Sequence, residues 1–451
     1  MRRLLIATWG SPARWGTAYY ILRDGDKILW EGESCTTLVP MVEGLCTENC
    51  DTVVVTLDSL VDLGSDSPRE RNACYTCSEG CKHLLGGTPR SYAELRGAVE
   101  RFITEVVKCL GVRAQIRTVV APAVGSPGGV WKFSGKAEDF ESVVLYELGS
   151  MVLNREYDEI VLDLTHGINF MPALTLRIAY RLASILLVAY RGLSERGIRI
   201  LVYNSDPHRY DRDGSKRFPV NVNLIARDLV KSIQLVHRIP RPVKPLRRLE
   251  GGLREEIEKL DAELFKVLRL AYPALYYPLP LVLCSVVKEL GSPLPTIEKV
   301  FRLWLDLTEV SYTSVSRALS INPDAVYALL LIGAVAKRLN GIEYPTPVRV
   351  LQELSELYSS VHPSYYYLIN DEVSHLREVE SRVVSAGRWV RYCEVHRDGC
   401  RKVEKPDLRT MVAHAGLQKE FVEIDASTRL RYVRDVSWIL SNTGLKLIHG
   451  D

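Results

Sequence analysis

Four polar stretches stand where apolar runs stop, and each carries groups able to hold a ligand. "IVLDLTHGINFMP" (160–172) presents Asp163, Thr165, His166, Gly167 and Asn169 immediately before a helical pattern. "TWGSPARWG" offers Trp9, Gly10, Ser11, Arg14 and Trp15, and "TLDSL" offers Asp58 and Ser59. "PAVGSPGG" adds Gly125, Ser126, Gly128 and Gly129. Gly167 lets backbone approach a ligand closely, and free N–H groups at a helix start can hold phosphate. Asn169 and Ser59 can read a base edge or a ribose hydroxyl, while Trp9 or Trp15 can stack on a base. The chemistry indicated is recognition of an anionic, base-bearing ligand. Neither a G-x-G-x-x-G fingerprint nor a Walker lysine occurs, which argues against ordinary dinucleotides and nucleoside triphosphates. One such loop alone would read as a helix cap or a turn.

The elements that must position these groups alternate in a βα rhythm. "RLLIATW" reads as a strand, "TAYYILRDGDKILWEG" as a hairpin around Asp24-Gly25, and "TVVVTLDSL" as a second buried strand. Helical periodicity over 93–110 leads to the strand "QIRTVVAP", and a helix near 138–153 leads to "EIVLDL". A helix over 170–194, the strand "IRILVYN" and the polar loop "SDPHRYDRDGSKR" follow. This pattern predicts a Rossmann-like, doubly wound parallel sheet over 1–236. In such a sheet ligands bind beyond the carboxyl ends of the strands, where strand order reverses. All four polar stretches fall there.

Composition breaks at "HRIPRPVKPLRRLEGGLREE" (237–256), which reads as a basic, Pro-rich, solvated linker. Beyond it, 257–451 reads as almost wholly helical, with segments near 255–272, 296–308, 324–339, 347–360, 371–387 and 427–442. Asn322-Pro323 supplies a helix cap and first-turn pair. The fold class expected is therefore α/β followed by all-α.

Bulk numbers narrow the function. The 451 residues carry 58 Lys and Arg against 55 Asp and Glu, so any anion site must be local. The apolar run after Met1 is too short for a signal peptide, and the longest apolar stretch, 325–336, suits a buried helix better than a membrane span. A cytoplasmic protein without membrane contact is expected. Ten cysteines leave three readings open: packed thiols, disulfides, or a zinc site. Cys74, Cys77, Cys81 and His83 form one tight cluster, and Cys393 and Cys400 bracket a turn-like segment.

"DLTHGIN" after an apolar strand, together with "ATWGSPARWG" and "VTLDSL", resembles the CRISPR-associated Rossmann-fold sensor domain, CARF. The likeness is to the type III branch in which CARF is fused to a HEPN ribonuclease. That resemblance implies a homodimer binding cyclic oligoadenylate across its twofold axis, the four-membered ring being usual. Carried over by position, the ligand candidates are Trp9, Gly10, Ser11, Ser59, Thr165, His166, Gly167 and Asn169, with Gly125 and Ser126 added from the strand-end pattern.

The same resemblance implies a HEPN signature, an arginine and a histidine four to six residues apart. Arg391–His396 and Arg409–His414 both fit. The second has Asp407 as a helix cap and the ending "H-A-G-L", so Arg409 and His414 are expected to be catalytic. Thr410 follows the arginine where the family often has asparagine, and its hydroxyl is the third candidate. His414 can move protons and Arg409 can hold the scissile phosphate of single-stranded RNA, with no metal or other cofactor required. The resemblance further implies a composite site made by two protomers. Two rivals stand beside this reading. One is a CARF-controlled DNA-binding regulator, although the only helix–turn–helix-like stretch, 312–344, is too apolar to face DNA. The other is a sensor that itself degrades cyclic oligoadenylate.

Overall fold

A computed structural model describes residues 1–46, 49–65, 73–207, 219–386 and 388–443. Most of the polar loop before residue 219 lies outside them. The first half is built on eight strands: β1 (Arg3–Trp9), β2 (Ala18–Asp24), β3 (Lys27–Ser34), β4 (Cys50–Leu57), β5 (Ile116–Ala121), β7 (Glu159–Asp163), β8 (Ile198–Ser205) and β9 (Val220–Val230). A two-residue strand, β6 (Lys132–Phe133), lies apart from that sheet. The order across the sheet is β3-β2-β9-β8-β7-β1-β4-β5. From β8 to β5 all pairs are parallel, and β9 turns the edge antiparallel.

β1 is the switch point. β4 and β5 extend the sheet on one side of it, β7 and β8 on the other. Register places Ala7 opposite Asp163 and Trp9 opposite Thr56, so the polar strand ends gather on one edge. Leu4, Leu5, Ile6, Val53, Val54, Ile160 and Val161 are wholly buried, as a sheet covered on both faces requires.

The helices of this half are α1 (Leu38–Leu45), α2 (Ala73–Cys81), α3 (Tyr92–Cys109), α4 (Glu138–Asn154), α5 (Met171–Ala189) and α6 (Arg191–Arg196). The single helix expected over 170–194 is two, broken at the extended Tyr190. Among the described residues α5 alone is long and apolar enough to cross a membrane, but most of it is buried against the sheet and other helices.

The second half contains α7 (Gly251–Tyr276), α8 (Pro280–Leu290), α9 (Leu294–Asp306), α10 (Pro323–Arg338), α11 (Val348–Ser359), α12 (Pro363–Glu378), α13 (Glu380–Ala386), α14 (Tyr392–Val395), α15 (Leu408–Ala413) and α16 (Val436–Asn442). Asn322 caps α10, its side-chain oxygen accepting from the N–H groups of Asp324 and Ala325. α10 is buried along nearly its whole length across α4 and α5, so it cannot serve as a DNA-reading helix.

Two expectations need correction. The 237–256 stretch is docked, not solvated: β10 (Val243–Pro245) pairs with β13 (Leu319–Ile321), and Ile239, Val243 and Leu249 are buried. The helix expected over 427–442 begins as a strand, β17 (Arg429–Tyr432), before α16. That strand belongs to a four-stranded sheet, β14-β17-β16-β15, with β14 (Thr346–Pro347), β15 (Val390–Arg391) and β16 (Val422–Ile424). The remaining strands, β11 (Glu309–Ser311) and β12 (Ser314–Ser316), form a hairpin whose second strand pairs with β6 of the first half.

Candidate ligand and active sites

At the strand edge, Asp163 is the organiser. Its buried carboxylate accepts from the Thr37 hydroxyl (2.6 Å) and the Thr165 N–H (3.1 Å). Burial pushes this carboxyl up, and those two donors pull it back. Thr165 then accepts from the Ser205 N–H at 3.1 Å, tying the β7 loop to β8. The polar cluster after β7 therefore fixes its own loop and aligns the α1 loop beside it.

His166 sits above this latch. Its Nε2 accepts from the Thr37 N–H at 3.2 Å, which leaves the proton on Nδ1. Burial lowers its pKa to about 3, so the ring is a neutral donor at physiological pH. It packs on Trp15 with ring centroids 4.3 Å apart, and Trp15 meets Trp9 edge-on at 4.8 Å. The His166 carbonyl accepts from the Gly10 N–H at 2.8 Å, joining the β1 and β7 loops. A Cβ at Gly10 would lie 2.7 Å from Ile168, and one at Gly167 would lie 2.4 Å from the Thr8 hydroxyl, so both loops need glycine to close. Asn169 is exposed at φ +52°, a left-handed conformation that asparagine tolerates.

Trp9 needs correction as a stacking group. It is fully buried at the end of β1, and the half-buried Trp15 is the indole within reach of a ligand. The Trp9 Nε1 and the Ser11 hydroxyl are buried with no hydrogen-bond partner. An unmet buried donor costs about 1–3 kcal/mol, so a ligand that satisfied Ser11 would gain on binding.

Ser59 and the Gly125–Ser126 turn stand at the ends of β4 and β5, beyond β1 from the β7 loop. Both are tied to the second half. Asp58, beside Ser59, is paired with Arg317 at 2.5 Å in a fully buried contact. Gly125 exchanges two backbone hydrogen bonds with Phe133, whose strand β6 pairs with β12.

The cysteines resolve as disulfides: Cys35–Cys74, Cys46–Cys50, Cys77–Cys109 and Cys393–Cys400, with Cys81 and Cys284 free. Cys74 and Cys77 are thus unavailable to a zinc knuckle. Cys35–Cys74 anchors the chain next to Thr37.

In the second half, a cavity of about 650 Å³ opens between α12, the α14 segment and α15. Asp407 caps α15, accepting from both the N–H and the hydroxyl of Thr410 at 2.9 Å. The helix stops at His414 because Ala415 and Gly416 turn left-handed. His414 Nδ1 bonds Glu372 Oε1 at 2.8 Å, and that carboxylate is almost fully buried. Glu372 holds the imidazole pKa above its usual value against the opposing effect of burial. With Nδ1 engaged, Nε2 is left for proton transfer.

Thr410 and His414 line this cavity and Arg409 does not; Arg409 is exposed. His396, from the alternative Arg–His pair, lines the same cavity, its segment closed by Cys393–Cys400. Burial and Lys419 hold its pKa below the usual value. Sequence reasoning missed Glu372, His375 and Lys419. Glu372 lies 42 residues before its partner, where no local spacing can signal it. Asp371, Glu372 and His375 bring possible ligand atoms within 4.8 Å of one another, the one such group among the described residues.

Polar strand ends at a sheet switch point stand here beside a helical unit with a histidine–carboxylate cavity, the layout of a ligand-binding domain joined to a second, chemically equipped one. Residues 4–207 match the family model for the CARF domain of the CRISPR system endoribonuclease Csx1, and residues 362–434 match the model for its HEPN domain. The chain belongs to the CARF–HEPN family of CRISPR-associated ribonucleases. It is similar to the CRISPR system endoribonuclease Csx1 of Methanocaldococcus jannaschii, 24% identical over 465 residues, covering 94% of this chain and 87% of that one. A CARF domain implies binding of cyclic oligoadenylate, and a HEPN domain implies an RNA substrate.

Proposed function

We propose that this protein is an endoribonuclease of single-stranded RNA, switched on when cyclic tetra-adenylate binds the strand-end crevice of a homodimer. The observation that carries the catalytic half is the His414–Glu372 pair on the cavity wall. Glu372 fixes the tautomer with Nδ1–H, so Nε2 can take the proton of the RNA 2′-hydroxyl. The 2′-oxygen bonds to phosphorus, the bond from phosphorus to the 5′-oxygen breaks, and that oxygen leaves with a proton. The products are a 2′,3′-cyclic phosphate and a 5′-hydroxyl, and the nucleophile comes from the substrate itself, so no metal is needed.

The leaving-group proton and the charge on phosphorus call for a second set of groups. A homodimer supplies them by facing two Arg409–His414 pairs. The exposure of Arg409 outside its own chain's cavity supports that composite arrangement. Thr410, with its hydroxyl given to Asp407, keeps the start of α15 in place.

On the sensor side, the His166 Nδ1–H, Asn169, Ser59, Ser11 and the backbone of Gly10 and Gly167 are candidate donors for ring phosphates and adenines, with Trp15 available for stacking. Gly125 and Ser126, exposed at the end of β5, complete the rim. The test is cleavage of end-labelled single-stranded RNA with cyclic tri-, tetra- and hexa-adenylate. Tetra-adenylate should accelerate cleavage most and leave cyclic-phosphate ends. Equal cleavage with no ring present, or products ending in 3′-hydroxyl, would overturn the proposal.

A further inference from the structure

We propose that Tyr366 and Tyr367, at the start of α12, form a stacking step for an unpaired base of the RNA that threads into the His414 cavity. The inference rests on the ribonuclease reading and adds a subsite to it. Tyr367 is 72% exposed and Tyr366 41%, and their rings meet edge-on with centroids 5.5 Å apart. A lone exposed tyrosine is ordinary. Two adjacent ones, one turn from a catalytic cavity and on the helix that builds it, are less so.

Position makes the link. Tyr367, Asp371, His375 and Glu378 follow at helical spacing on one stripe of α12, and His375 and Glu378 line the cavity. Ligand atoms of Asp371, Glu372 and His375 lie within 4.8 Å of one another, so Asp371, one turn after Tyr367, adjoins the carboxylate that holds His414. Five residues of helix separate Tyr367 from Glu372, the partner of His414, about 7.5 Å along the axis. At ~3.4 Å per stacked base, roughly two nucleotides cover that distance. A strand whose scissile phosphate lies at His414 would therefore carry a base over Tyr367. The cations Arg382, Arg401 and Lys419 on the cavity wall suit the phosphates of a strand held in the cavity.

Stacking is blind to base identity because every base has a π-face, so the step adds affinity without setting a sequence preference. Removing one such ring weakens binding by about 5- to 150-fold. The test uses the full-length chain, saturated with cyclic tetra-adenylate, and a fluorescent RNA made uncleavable by 2′-O-methyl groups. Tyr367→Ala should raise the anisotropy-measured Kd about tenfold or more, and Tyr367→Trp should restore it. Moving a single abasic site along the RNA should reveal one position that weakens wild-type binding by a similar factor and adds nothing in Tyr367→Ala. Unchanged affinity, or fully additive losses at every abasic position, would overturn the step. So would a change in oligomer size in Tyr367→Ala, which would assign the tyrosines to a contact between copies. Failure of the ribonuclease reading would look different: uncleaved all-ribose RNA, with its binding still dependent on Tyr367.

Discussion

Replacing Arg317 by methionine should cost about 3–5 kcal/mol of stability, because it leaves a buried carboxylate without its counter-ion. Arg317 and Asp58 are both fully buried, with the guanidinium 2.5 Å from Asp58 Oδ2. Arg317 also donates to the carbonyls of Ala123 (2.8 Å) and Ser134 (2.7 Å) and lies over the rings of Tyr92 and Trp304. Asp58 accepts further from the Tyr92 hydroxyl and the Ala123 N–H, each at 2.8 Å. Asp58→Asn should cost as much, since the guanidinium keeps its charge at any working pH. Removing both charges, in Asp58→Asn/Arg317→Met, should cost far less than the sum, with a coupling energy of about 3 kcal/mol or more.

The pH dependence separates the two single variants. Burial already pushes the Asp58 carboxyl up, and without Arg317 the largest effect opposing it is gone, leaving only the Ala123 N–H and the Tyr92 hydroxyl. A folded-state pKa raised above the unfolded value of about 3.9 means stability is greatest below that pH and falls as pH rises. Arg317→Met should therefore be less damaged at pH 5 than at pH 8, whereas the Asp58→Asn penalty should not ease. Urea unfolding at both pH values reads this out. Single-variant costs under about 1 kcal/mol, or a strictly additive double variant, would refute the reasoning. Because Asp58 adjoins Ser59 and Arg317 belongs to the second half, the same variants should also weaken activation of RNA cleavage by the ring.

His414→Ala should abolish RNA cleavage without unfolding the protein, since half of that side chain is exposed; His396→Ala should retain most activity at saturating RNA. Glu372→Gln removes the charge that raises the His414 pKa, so the limb of the pH–rate profile belonging to His414 should move to lower pH. An unmoved profile would mean that Glu372 only packs. Cleavage should persist in EDTA and in Asp371→Asn, and a 2′-deoxyribose at the scissile position should block it; strict dependence on Mg²⁺ or Mn²⁺ would contradict the mechanism.

The βα half was legible because its strands are continuous apolar runs and a helix such as Tyr92–Cys109 carries clear periodicity. β9 was missed because "VNVNLIARDLV" mixes charged and apolar residues on a strand that is only partly buried. The C-terminal strands are two to four residues long, shorter than any periodic signal, so β17 disappeared into an expected helix. At the sensor crevice, "DLTHGIN" could be picked out as a polar break after a buried strand. Which tryptophan faces the ligand could not, because β1 is covered on both faces and alternation carries no information there. The Arg–His spacing marked His414, but spacing along the chain cannot show that His396 shares its cavity or that Glu372 holds its ring.

The central claim is that the strand-end crevice controls the distant cavity, and it is tested most directly by the activation curve of a His166→Ala/Asn169→Ala protein. A ligand moves a switch from about 1:99 to 99:1 only by binding the active state ~5.5 kcal/mol more tightly. Two hydrogen bonds to charged or buried ligand groups, at about 1–3 kcal/mol each, are a large part of that difference. RNA cleavage by wild type and variant is therefore measured across a range of cyclic tetra-adenylate concentrations. Basal cleavage should survive in the variant, with the activation curve flattened or moved to much higher ligand. A curve that coincides with wild type would contradict the account, leaving "DLTHGIN" as a strand-to-helix turn with no part in sensing.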